Sequence, residues 1–422
     1  MKIEMGWAQS SVIRALLNPT IRFIVCCAGR RFGKSTLAVS LLIWFAMNQP
    51  GRYAYLAPSY SAAKRIAWGM LKELLPEDAV ASIHESELRV VFTNGAEIML
   101  FGAERADNLR GIKLAGCVVD EFAVMKASVW NEVLRPALAD SRGWGLFIST
   151  PRSFNHFKEF FDRGLSEEFK EWVSFQFKTI DGGRVASDEL DAAKRELDKH
   201  TYLQEFEASF EALSNRVLYA FNRHLHVDSE RAEFKPENGP VYAAQDYNVD
   251  PSAIVLAQRH DGLLRAFDEQ ILHHSNTPMV AKALKLKLEK YNVLPSGVVV
   301  LPDPSGNSRK TSANSGVTDH SIMREHGFSV RAMSSAPKVV DRLNHTNAVL
   351  LNAADEVRMV VHPRCKSLIE TCEGWTYKLD AHGRVIQIPD ESGGLDHVGD
   401  ALGYMCCQLF TMPGRGVTMV HD

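Results

Sequence analysis

Residues 23–27 read F-I-V-C-C, and residues 28–36 continue A-G-R-R-F-G-K-S-T before a helix-forming run at 37–47. An apolar run that opens through glycines into Lys-Ser-Thr and then a helical pattern constrains the chain to a buried strand, a tight loop and a helix packed back on that strand. Such a loop turns backbone N–H groups and a helix N-terminus toward one point, where an anion is favoured. Ala28 stands where the pattern G-x-x-x-x-G-K-[ST] has its first glycine, and Gly29 follows it. A second apolar run, Cys117-Val118-Val119, ends in Asp120-Glu121.

This pair of runs predicts a nucleoside triphosphate site with ATP and Mg²⁺. Gly29, Arg30, Arg31, Gly33 and Thr36 belong to the phosphate cradle. Lys34 reaches the β and γ phosphates, and the Ser35 hydroxyl ligates magnesium. Asp120, at the end of a buried strand, holds the same ion directly or through water, and Glu121 polarises the attacking water.

Around that loop, residues 1–180 alternate short apolar runs with helical patterns, which predicts a mainly parallel sheet with crossover helices. Strands are expected at 53–57, 117–119 and 144–148 and helices at 59–75 and 128–139. Residues 88–101 read as a hairpin turning at Asn94-Gly95. Asp181-Gly182-Gly183 breaks this alternation, and the charged helical sequence at 187–213 marks 181–235 as a linker or small helical subdomain. From Pro240 a second α/β alternation begins, with strands at 241–245, 253–258, 263–268 and 298–301 and helices at 279–291 and 397–410. No internal repeat is present.

Composition narrows the class further. With 422 residues, 45% of them hydrophobic, the chain can build more than one core. No apolar stretch approaches the roughly 20 residues that span a bilayer, so no membrane span is expected. The start, Met1-Lys2-Ile3-Glu4, lacks the pattern of an export leader. The seven cysteines form no C-x-x-C pair and sit mostly in apolar runs, which predicts reduced thiols and a cytoplasmic setting. Because 48 Lys+Arg face 51 Asp+Glu, overall charge does not call for nucleic acid. The local clusters Arg30-Arg31, Lys64-Arg65 and Arg309-Lys310 read by default as solvated faces.

In the C-terminal region, carboxylates stand at strand ends. Gln245-Asp246-Tyr247 closes one strand, Pro302-Asp303-Pro304 closes another, and Asp396 and Asp400 share a face at the start of the last helix. Carboxylates converging from separate elements repel unless a divalent cation lies between them, and oxygen ligands suit Mg²⁺ or Mn²⁺. Two such ions can hydrolyse a phosphodiester. The residues also fit a plainer reading, since Asp after a strand is a common turn former and Asp396 a candidate helix N-cap. For Asp319, in Thr318-Asp319-His320, the N-cap reading is the better one.

Taken in order, G-R-R-F-G-K-S-T, C-V-V-D-E-F, Ser149-Thr150-Pro151, then D-Y, D-P and D-H-V-G-D-A-L resemble the large terminase subunit of tailed bacteriophages, over nearly the whole chain. The resemblance implies a P-loop ATPase domain with a mainly parallel sheet at 1–180, followed by an RNase H-like α/β nuclease domain at 236–422. It implies that Arg30 senses the γ phosphate, that Arg110 reaches a neighbouring subunit's nucleotide, and that Ser149 and Thr150 couple hydrolysis to movement. Asp246 and Asp303 match the first two nuclease metal ligands. Asp396 is the expected third, with Asp400 as helper, although the pair Asp396-His397 stands where some relatives have two aspartates; this leaves the third ligand open between Asp396 and Asp400. His397 itself reads as a helper or, more readily, as a surface histidine.

The function so implied is packaging: ATP-driven translocation of double-stranded DNA into a procapsid, and metal-dependent cutting of the concatemeric genome. The implied partners are the small terminase subunit and the portal protein, with a homo-oligomeric ring around the DNA. The implied place is the cytoplasm of the infected bacterial host, transiently at the procapsid and not in the mature virion. Two other readings stay open on the residues: a helicase or repair ATPase with an appended nuclease, and a regulatory nucleotide-binding module whose C-terminal part binds partners.

Overall fold

A computed structural model of the chain describes residues 5–410 apart from 153–154, 212–213, 248–249, 308–316 and 381–384. The Arg309-Lys310 cluster lies outside the described residues. Two compact units divide the chain: Met1–Leu190 with Tyr202–Ala212, and Asp191–Thr201 with Leu213–Asp422. Of the segment 181–235, residues 181–190 and 202–212 therefore belong to the first unit and the remainder to the second.

The first unit is built on eight strands: β1 (Phe23–Ala28), β2 (Arg52–Ala57), β3 (Val80–His84), β4 (Arg89–Phe92), β5 (Glu97–Gly102), β6 (Gly116–Asp120), β7 (Trp144–Ser149) and β8 (Trp172–Phe177). Their order is β3-β4-β5-β2-β6-β7-β1-β8. From β5 to β8 every neighbour is parallel, while β3, β4 and β5 pair antiparallel at one edge. The Asn94-Gly95 hairpin is the β4/β5 turn, with Gly95 at φ 84°.

Both faces of this sheet are covered, which explains why its strands read as unbroken apolar runs. Ile24, Cys26 and Ala28 pack toward the helix Lys34–Asn48, whereas Phe23, Val25 and Cys27 join Val119, Phe122, Trp130 and Phe147 on the other side. The helix expected at 59–75 starts with the Ser59 hydroxyl accepting from the Ala62 N–H and passes through a π-turn at Lys64–Trp68. All seven cysteines are free and buried, as the apolar context predicts.

In the second unit, β9 (Val241–Asp246), β10 (Ser252–His260), β11 (Leu263–Leu272), β12 (Val298–Pro302), β13 (Ser329–Val330) and β14 (Met359–Val361) form a mixed sheet in the order β13-β12-β9-β10-β11-β14. β9, β10 and β11 are an antiparallel meander, and β12 runs parallel to β9, pairing Pro302 with Gln245. The arrangement is the α/β one expected of an RNase H-like fold. The helix Asp396–Leu409 packs with Ala244, Val255 and Trp375 on one face, and the helix Thr277–Glu289 with Ala243, Ile254 and Val300 on the other.

Gly399 sets how closely the last helix approaches its neighbours. A Cβ there would stand 2.4 Å from Trp375 Cζ3 and 2.6 Å from its Cε3. Trp375 is buried and anchored by its indole N–H, which donates to the Asp390 carbonyl at 3.1 Å. Gly399→Ala is therefore expected to destabilise the second unit by about 1–3 kcal/mol through overpacking. Gly393→Ala, where a Cβ meets open space, should change stability by less than about 0.5 kcal/mol. Urea unfolding of the two variants measures the difference, and equal midpoints would refute the close-approach argument.

Candidate functional site

The phosphate loop leaves the carboxyl end of β1 and is pinned from beneath. Gly29 N–H donates to the Phe177 carbonyl at 3.0 Å, Arg30 N–H to the Glu205 carbonyl at 2.7 Å, and the Thr179 hydroxyl to the Arg30 carbonyl at 2.8 Å. The turn into the helix Lys34–Asn48 needs a left-handed residue at its N-cap, and Gly33 supplies it at φ 100°. Lys34 is buried, its ammonium donating to the carbonyls of Ala28 at 2.7 Å and Gly29 at 3.0 Å. The cation thus lies inside the loop that the sequence marks as a cradle.

Two neighbouring strand ends face this loop. Asp120, 3% exposed at the end of β6, takes a hydrogen bond from the Ser35 hydroxyl at 2.9 Å and another from the Tyr55 hydroxyl, both on Oδ2. Its Oδ1 is buried without a hydrogen-bond partner. Burial pushes the Asp120 carboxyl above its ordinary range, opposed by Tyr55, Ser35 and the Lys34 charge. A buried carboxylate oxygen left unbonded beside a serine hydroxyl suits a hard divalent cation in donor type. The expectation of magnesium between Ser35 and Asp120 therefore fits the residues present.

Glu121 follows directly, in the left-handed region at φ 55°. Burial raises its carboxyl above the usual range, and Lys34 works against that rise. The Ser149 hydroxyl, at the end of β7, donates to Glu121 Oε2 at 3.2 Å and accepts from the Ala123 N–H at 3.3 Å. Ser149 is fully buried and Thr150 nearly so. The structure thus joins Lys34, Ser35, Asp120, Glu121 and Ser149 at the carboxyl ends of three adjacent strands. A water held by Glu121 at this place can be polarised toward a phosphate seated on the loop.

The two expected arginines lie differently. Arg30 is 67% exposed and ion-paired with Glu205. Arg110 pairs with Asp107 at 2.7 Å and Glu132 at 3.5 Å, and among its described ion pairs and hydrogen bonds none is to the phosphate loop. Tyr55 and Glu205 escaped the sequence reading, since a tyrosine inside an apolar strand and a glutamate in a charged helix carry no local signal.

The second candidate site lies at one end of the β9–β12 pair. Asp246 ends β9, and Asp303 follows β12 with its N–H donating to the Gln245 carbonyl at 3.0 Å. Asp303 is turned by Ser305, whose N–H and hydroxyl donate to its two oxygens at 3.0 and 2.7 Å. Asp396 and Asp400 occupy successive turns of the last helix. Asp396 is its first residue, so Leu395 holds the N-cap position and the capping role considered for Asp396 is not realised. Likewise Thr318, not Asp319, caps its helix, through a reciprocal capping box with Ser321.

His397 corrects another expectation. It is no surface residue: its Nδ1 lies 3.1 Å from Asp246 Oδ2 and 3.6 Å from Asp396 Oδ2, with 15% of its side chain exposed. Arg342, 3% exposed on the helix Val339–Leu350, donates to Asp400 Oδ1 at 2.5 Å. Burial, then the Asp400 charge, raise the Asp246 carboxyl to about 6, against the opposing pull of His397. Asp396 Oδ1 is buried and unbonded. The oxygens are of the type that holds Mg²⁺ or Mn²⁺, yet among the described residues no group of three or more His, Cys, Asp and Glu is gathered closely enough to hold a metal ion. The four aspartates therefore share one end of the unit without forming a closed ligand set among the described residues.

The chain is similar to several known proteins. The family described as terminase large subunit, T4-like-virus type, N-terminal, matches residues 25–219. The large terminase subunit of Escherichia phage T5 is 30% identical over 223 residues, 52% of this chain and 51% of that protein. That of Thermus virus P23-45 is 28% identical over 310 residues, 61% of this chain and 64% of that protein. The chain thus spans about half to just under two thirds of the curated relatives it matches. Among solved structures, the large terminase of a thermophilic bacteriophage shares the fold over 96% of this chain and 99% of its own, at a TM-score of 0.57 and 18% identity. The same phage protein in complex with ADP gives 0.55 at 19% identity, covering 96% of this chain and 100% of that one.

The Asp246 carboxyl yields a test. Since its pKa is raised from 3.8 to about 6 in the fold, its contribution to stability is present below pH 3.8 and lost as pH rises through 6. Asp246→Asn should therefore unfold later than the parent chain, by a margin that grows from pH 4 to 6 and levels off above it, at about 1–3 kcal/mol. Urea unfolding with a chelator at pH 4, 5, 6 and 7 reads this margin; a pH-independent difference would contradict it.

Proposed function

We infer that this chain, a relative of the large terminase subunits of bacteriophages, is a DNA-packaging motor subunit that hydrolyses ATP in its first unit and cuts DNA with its second. The observation that carries the reading is the junction of Lys34, Ser35, Asp120, Glu121 and Ser149 at three strand ends. There the loop N–H groups and Lys34 hold the triphosphate, and Glu121 takes the proton of the attacking water. Ser35 and Asp120 would hold a magnesium ion, which would supply charge neutralisation for the β and γ phosphates. The Ser149 hydroxyl orients Glu121 and connects it to the Ala123 backbone, so loss of the γ phosphate is felt by the segment after β6. ADP in the thermophilic phage terminase structure supports the nucleotide assignment.

Arg30 is assigned to the γ phosphate, which competes with Glu205 for its guanidinium. Arg110, exposed at the surface, is assigned to a neighbouring subunit's nucleotide, which makes hydrolysis depend on assembly into a ring. The second unit is assigned the endonuclease, with Asp246, Asp303, Asp396 and Asp400 as its acidic residues and Mg²⁺ or Mn²⁺ as its cofactor. Its substrate is the concatemeric double-stranded genome. The motor grips the phosphate backbone, which carries no base information and so suits any sequence. The small terminase subunit brings the genome, the portal of the procapsid receives it, and the work is done in the host cytoplasm.

Site-specific loss separates the two activities. In the full chain, Glu121→Gln should lower ATP turnover by about 100-fold or more while leaving plasmid nicking in Mg²⁺ or Mn²⁺ intact. Asp303→Ala should abolish nicking and keep ATP turnover. Persistence of nicking in both Asp246→Ala and Asp303→Ala would remove the nuclease from this chain.

A further inference from the structure

Arg184 is a cation in a place that ordinarily repels one. It follows Gly183, whose φ of 64° turns the chain back after the short 3₁₀ segment Ile180–Gly182. Its guanidinium lies over Gly33, with Cζ 3.1 Å and Nε 3.2 Å from where a Cβ at Gly33 would stand, and its Nη1 donates to the Thr36 hydroxyl at 3.3 Å. This is the N-terminal end of the helix Lys34–Asn48, where the dipole and the free N–H groups already carry positive charge. Lys34 adds a further cation within the same loop. Among the described residues no carboxylate pairs with Arg184, in contrast to Arg30, which has Glu205.

An exposed arginine gains nothing structurally from such a position, since a weak bond to one hydroxyl does not offset like-charge repulsion. It gains once an anion sits on the loop. Arg184 meets the helix at the Thr36 hydroxyl, whereas Ser35 bonds to Asp120 and Ser149 to Glu121, so among the described hydrogen bonds the guanidinium shares none with those two carboxylates. The placement itself is secured, because Thr179, a few residues before, is bonded both to the loop, through the Arg30 carbonyl, and to the Phe206 carbonyl.

We propose that Arg184 is a nucleotide-binding residue that clamps the α and β phosphates of ATP and ADP across the mouth of the phosphate loop. The clamp rests on the nucleotide reading of the first unit. It makes affinity for nucleotide depend on the segment after β8, while the chemistry at the γ phosphate stays with Lys34 and Glu121. A planar guanidinium suits two phosphate oxygens at once, so lysine substitutes for it incompletely.

The test uses the full chain and a fluorescent ADP analogue, with ATP turnover measured in parallel. Arg184→Ala should weaken ADP binding by about 10-fold, corresponding to one charge-assisted contact. It should raise KM for ATP by a similar factor and leave kcat within about threefold. Arg184→Lys should fall between the two, and Arg184→Glu should be weaker than alanine by a margin that shrinks with added salt. Unchanged ADP affinity in Arg184→Ala and Arg184→Glu would overturn the proposal. So would a loss confined to ATP or to kcat, which would put the contact on the γ phosphate. Failure of the parent chain to bind nucleotide, or binding that survives Lys34→Ala, would instead strike the nucleotide reading itself.

Discussion

Accommodating a buried carboxyl group is the constraint from which the first unit is built. Asp120 ends a strand with apolar sheet on both sides, and an isolated anion there would be neutralised or driven out. Burial raises its carboxyl pKa, and the two hydroxyls of Ser35 and Tyr55, which donate to one of its oxygens, and the Lys34 ammonium in the adjoining loop oppose that rise. Lys34 and Ser35 open the helix after β1 and Tyr55 stands on β2, so the parallel order of β1, β2 and β6 is needed to bring them to Asp120. The same order sets Ser149 on β7 against Glu121. The polar site is thus a product of the strand arrangement, and the apolar strands exist to hold their ends in register.

The second unit brings basic side chains to its acidic end. Four aspartates on β9, after β12 and on the last helix would repel one another, and burial first, then the Asp400 charge, raise the Asp246 carboxyl to about 6. Arg342 balances Asp400 from a helix of its own, and His397 spans Asp246 and Asp396. Gly399 and Gly403 bring the helix close: a Cβ at either would collide with Trp375 or with the Arg342 stem. Placement of the acidic end thus depends on small residues and one buried arginine, none of which is assigned a part in the chemistry.

Much of this was legible one residue at a time. The loop at 28–36 and the pair Asp120-Glu121 announce themselves because a phosphate cradle needs fixed residue types at fixed spacing. Asn94-Gly95 gave its hairpin for the same local reason. Strands whose two faces are both buried read as apolar runs, and β1, β2, β6 and β7 were found that way. β3 and β8 were not, since β3 alternates intermediate and exposed positions and β8 leaves most of its residues half-buried. The short β13 and β14 hold too few residues to show a period. The N-cap roles weighed for Asp319 and Asp396 fell to neighbours, because a cap is decided by where the first turn closes.

The amino-acid order by itself determined which groups can bind phosphate and which carboxylates end strands, because these depend on residue type and on separations of a few positions. Only the tertiary structure decided who stands beside whom: Tyr55 on Asp120, Glu205 on Arg30, Arg184 over Gly33, His397 between two aspartates and Arg342 under a third. Each of these pairs joins residues distant along the chain or on different elements, or turns on which way a helix faces. Burial and electrostatic balance act through space, and no local pattern encodes a neighbour that arrives by packing.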